Sequence, residues 1–61
     1  MILEIRNQNH ELKKFCCVVF AGILRSYPDK IYVQQRYKRS GKAYIRERFI
    51  PKEEVSTWTV R

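Results

Sequence analysis

Sixty-one residues are enough for one small domain, and a chain this short buries only about 60% of the surface its unfolded form exposes. Thirteen Lys and Arg against six Asp and Glu give a formal charge of +7 and a pI near 9.9, a field that draws polyanions, nucleic acid first and an acidic protein second. The longest apolar run, Phe15 to Leu24, falls far short of the about 20 residues of a membrane-spanning helix, so no membrane partner is expected.

Along the chain, Met1 to Arg6 alternates Leu3 and Ile5 with Glu4 and Arg6, which suits a strand. Asn7-Gln-Asn-His10 is a polar cluster and reads as a turn. The next segment, 11–26, admits two readings. As a helix, it carries Leu12, Phe15, Cys16, Val19 and Ile23 in one stripe and stops before Pro28. As a strand, Phe15 to Phe20 offers β-branched and aromatic residues, apolar on both faces, with Gly22 marking a bend. The strand is the favoured reading. One of the two adjacent thiols, Cys16 and Cys17, would then face the core as a small apolar group.

Tyr27-Pro-Asp-Lys30 has turn chemistry, since Pro28 pre-sets φ and Asp29 can bond its own backbone. Residues 30–38 alternate strongly, Arg39-Ser-Gly-Lys42 reads as a hairpin loop with Gly41 in the left-handed position, and 43–50 is the return strand. Pro51 to Val55 suits one short helical turn, with Pro at its start and Glu53 and Glu54 near its positive end. Ser56 to Val60 is a closing strand in which Trp58 is expected to seal the core.

The hairpin carries the candidate site. Odd positions, from Ile31 and Val33 through Tyr37, Ala43 and Ile45 to Phe49, form an apolar side. Even positions gather Tyr32, Arg36, Lys38, Tyr44, Arg46 and Arg48 on one wetted side, with Arg39 and Lys42 in the loop. Cations neutralise phosphates while flat rings stack on bases, so this mixture points to RNA or single-stranded DNA. A basic ribbon laid in a DNA groove is the other use of the same residues. Chemistry beyond binding has little support: His10 has no acid partner, no zinc spacing or phosphate loop occurs, and no cofactor is expected. The chain reads as a non-enzyme.

The order of bent strand, turn, hairpin, Phe49-Ile-Pro-Lys-Glu-Glu-Val55 and closing strand resembles the SH3-like and Sm-like small barrels. Ala21-Gly-Ile-Leu24 followed by Asp29-Lys-Ile31 is similar to the Sm pattern, although the Asn of the Sm turn loop is missing. The resemblance implies a five-stranded antiparallel barrel over roughly residues 12–60. Met1-Ile-Leu3 and Ile50-Pro-Lys-Glu-Glu-Val55 also resemble the carbon-storage-regulator family of RNA-binding homodimers, which implies an RNA-contacting role for Lys52.

These readings combine into one expectation. The chain is a single mainly all-β domain over 1–61, a five-stranded antiparallel small barrel with one helical turn near 51–55. The α+β alternative places a helix at 11–26 on the hairpin sheet. Its function is nucleic-acid binding as a cytoplasmic, self-associating regulator. The competing reading is a phage-type inhibitor that docks its basic hairpin on an acidic protein.

Overall fold

The computed structural model, which describes residues 1–61, is organised around the hairpin that the alternating segment 30–50 dictates. Its strands are β1 (Leu3–Arg6), β2 (Leu12–Phe15), β3 (Val18–Gly22), β4 (Lys30–Arg39), β5 (Lys42–Pro51) and β6 (Thr57–Val60). A single 3₁₀ turn, Lys52–Glu54, begins directly after Pro51 and places Glu53 and Glu54 in its first turn. No helix is long and apolar enough to cross a membrane.

The six strands form two three-stranded antiparallel sheets, ordered β2-β1-β6 and β3-β4-β5. They join at one corner, where the backbones of Met1 and Val18 exchange hydrogen bonds of 3.0 Å in both directions. The fold is therefore mainly β, and the helical reading of 11–26 is overturned: that segment is β2, a sharp connection and β3. One bent strand was expected there, with its bend at Gly22. The break instead falls at Cys16-Cys17, where Cys17 takes φ 58°. This corner sends β2 to one sheet and β3 to the other, which is how strands change layers in packed sheets. Both thiols are exposed rather than one being buried. The Cys17 thiol is pushed above its ordinary value by its hydrogen bond to Cys16 and by the charge of that neighbour.

Leu3, Ile5, Val18, Ile31 and Val33 are the whole buried apolar core, with Phe15, Ala21, Ile50, Val55 and Val60 packed around it. Alternation explains the choice. Leu3 and Ile5 are the inward residues of β1, and Ile31 and Val33 those of β4, so two short period-two runs meet across the layers. Trp58, expected to seal this core, is 37% exposed at a sheet margin. Its partner across the ladder is Ile5, so it faces the core side, but β6 is an edge strand and nothing covers the outer half of the ring.

Gln35 is the one buried polar residue, and both polar atoms of its side chain are bonded. Its amide donates to the Cys16 carbonyl at 2.9 Å and its oxygen accepts from Arg48 Nε at 3.0 Å. The sheet-changing corner is thus tied to the middle of the hairpin, since a buried amide left without these partners would cost about 1–3 kcal/mol.

Candidate nucleic-acid interface

The ladder between β4 and β5 runs from Lys30↔Pro51 to Arg39↔Lys42, leaving Ser40 and Gly41 as a two-residue turn. Both take positive φ, 53° and 79°. That is the condition for a type I′ turn, whose twist matches the flanking strands. A turn of two residues pairs odd positions with even ones, and residues directly opposite share a face. The inner face therefore carries Ile31, Val33, Gln35, Tyr37 and Arg39 from β4 with Lys42, Tyr44, Arg46, Arg48 and Ile50 from β5. The outer face carries Tyr32, Gln34, Arg36 and Lys38 with Ala43, Ile45, Glu47 and Phe49.

This corrects the expected gathering of cations and rings on one side. Tyr32, Arg36 and Lys38 lie on the outer face, whereas Arg39, Lys42, Tyr44, Arg46 and Arg48 lie on the inner one. Continuing one odd–even count through both strands ignored the inversion that an even turn imposes. The residues remain together in another sense. β3 accompanies β4 only as far as Gln35, and beyond the Arg36 N–H to Cys17 carbonyl bond the hairpin continues as a free two-stranded arm. From Arg36 to Arg46 it carries five cations and no acid. At about 3.4 Å per residue the arm projects roughly 15 Å, along a molecule 38 Å in its longest dimension.

Arg36, Lys38, Arg39, Lys42 and Arg46 are all exposed, and none of them forms an ion pair. Arg48 differs. It is half-buried, bound to Gln35, and lies 5.3 Å over the Phe15 ring, so it holds the layers together instead of offering a free charge. Tyr37, assigned from sequence to the core side, stacks on Tyr44 with centroids 5.8 Å apart and planes 23° from parallel. The pair stiffens the arm, and such ring contacts contribute about 0.5–1.5 kcal/mol. The signal for Tyr37 lay in the loop length, which opposes it to Tyr44.

Tyr32 belongs to a different group. It lies in a chain of rings on the outer face, 5.9 Å from Phe20 and 5.3 Å from Phe49, which in turn is 5.0 Å from Tyr27. Desolvation in this cluster pushes its phenol above the ordinary value, and the nearby Glu47 carboxylate adds to the effect. The native state thus keeps its full advantage below the unfolded phenol range and loses it as pH climbs through the raised folded value. Alkaline titration followed by phenolate absorbance should show a late phase that Tyr32→Phe removes and Glu47→Gln shrinks. An unchanged titration in Tyr32→Phe would contradict the assignment.

Between the two sheets lies an open cleft, floored by Ile5, Phe15 and Ile50, whose rim mixes Lys13 and Arg48 with Glu11, Glu53 and Glu54. Mixed signs at that spacing do not concentrate a polyanion. The arm does. Comparison with known protein families, with curated proteins and with solved structures finds no match.

Proposed function

We propose that this protein binds nucleic acid by laying its two-stranded arm in the groove of a duplex, with DNA the favoured form. The observation that carries this reading is the distribution of charge: Arg36 and Lys38 on one face of the arm, Arg39, Lys42 and Arg46 on the other, and no acid between them. A flat platform for a single strand needs its rings and cations on one side. A ribbon inside a groove has phosphates along both walls, and the major groove, about 12 Å wide, admits two strands with their side chains. The deep, narrow major groove of RNA duplexes excludes such an arm. Contacts of this kind are mostly to phosphate, so sequence preference is expected to be weak.

The small-barrel class of the resemblance stays within this reading, supported by the sheet-changing corner and the single 3₁₀ turn before β6. The arm is then an extension of the scaffold.

The test is fluorescence anisotropy with labelled duplex DNA, single-stranded DNA and RNA over a range of salt. Five phosphate contacts predict a slope of log affinity on log salt of about −4.5, so raising salt fourfold should weaken duplex binding roughly 500-fold. Tighter binding to a single strand than to a duplex of equal length would overturn the groove reading. Absence of any nucleic-acid binding, with capture of an acidic protein through the arm, would overturn the proposal entirely.

A further inference from the structure

The two sheets differ on their outer sides. On the β2-β1-β6 sheet, Glu4 is paired with Lys14 at 3.9 Å and with Arg61 at 2.6 Å, alongside Arg6 and the threonines of β6. That is the solvated surface expected of an exposed sheet face. The β3-β4-β5 sheet instead turns Phe20, Tyr32, Phe49 and the adjoining Tyr27 outward as one continuous run of rings. Phe20, Tyr27 and Phe49 are 45%, 47% and 42% exposed. Phe20 lies flat enough on the sheet that a Cβ at Gly22 would stand 3.3 Å from its ring tip.

We infer that this aromatic face is covered by a second copy of the chain, packed face to face about a two-fold axis. The size of the chain argues for it: a single core in 61 residues is thin, and domains of this length commonly gain stability by packing against a further copy. Six buried residues in 61 leave a core that association would double in thickness.

The face is favoured over the open edge of β5. An antiparallel copy laid along that edge would set same-face residues opposite one another. Three of the four inner-face residues from Lys42 to Arg48 are cations, so registers that pair most of the strand bring like charges together. Stacked sheets about 10 Å apart keep those cations outside the contact. A two-fold arrangement would also give the assembly two arms.

Sedimentation of the full chain without nucleic acid tests the inference independently of the proposed function. The expected result is a particle of twice the 7.4 kDa chain mass at about 100 µM, dissociating on dilution. Phe49→Lys and Phe20→Lys should each weaken association at least about tenfold, whereas Tyr44→Ser on the opposite face should leave it unchanged. A wild-type chain that stays monomeric, or a folded Phe49→Lys variant that associates normally, would overturn it. Amide NMR shifts of the wild type, followed against concentration, need no variant. Changes centred on Phe20, Tyr27, Tyr32 and Phe49 are expected, and changes confined to the β5 edge would refute the face.

Discussion

Replacing Arg39 and Lys42 together by Ser should weaken duplex binding roughly 50-fold at about 0.1 M salt and lower the magnitude of the salt slope by nearly two. The two residues face each other at the tip, beside the turn, and both are exposed. Removing them deletes two phosphate partners without touching the core, so circular dichroism should be unchanged. Lys52→Ser supplies the contrast. It deletes one positive charge, half of what the double variant removes, from the far end of the hairpin, beyond Pro51, and should cost only the few-fold expected from a weaker overall field. If Lys52→Ser proved as damaging as the double variant, contact would have to extend to the 3₁₀ turn, as the carbon-storage-regulator resemblance implies. An unchanged affinity in the double variant would remove the arm from the interface.

Leu3→Ala should remove roughly half or more of the chain's stability at 25 °C. The side chain is fully buried on the central strand of its sheet, against a core of four other residues. Leu-to-Ala changes at such sites cost about 2.7–5.0 kcal/mol. A domain of this length holds only roughly 3–9 kcal/mol in total. Leu12→Ala makes the same chemical change at a position 44% exposed on the polar outer side of that sheet, and should shift stability by less than about 0.5 kcal/mol. Denaturant titration of the two variants checks both values. A cooperative Leu3→Ala variant with near-native stability would mean that the described core is not where the folding energy resides.

How much of this was legible beforehand varies by element, for physical reasons. The hairpin announced itself because Ile31 and Val33 alternate with polar neighbours and because Ser-Gly suits left-handed turn geometry. The 3₁₀ turn was equally readable, since Pro51 fixes its own φ and cannot continue the ladder as a donor. The corner at Cys16-Cys17 was not. Cys17 adopts a conformation normally left to Gly or Asn, and what holds it there is remote: the Gln35 amide on the Cys16 carbonyl and the Arg36 N–H on the Cys17 carbonyl. No local propensity encodes such bonds. Arg48 was misjudged for a related reason, because its tie to Gln35 exists only once the strands are in register. The candidate cations of the arm were identified correctly as exposed residues, but their division between faces depended on counting the turn.

That count has an evolutionary corollary. Adding one residue to β5 while the two-residue turn is kept would rotate the return strand by half a revolution, sending Ile50 out to water and Phe49 in toward Leu3 and Val33. Natural single-residue insertions at the tip should therefore appear as longer loops or bulges that keep Arg39 opposite Lys42.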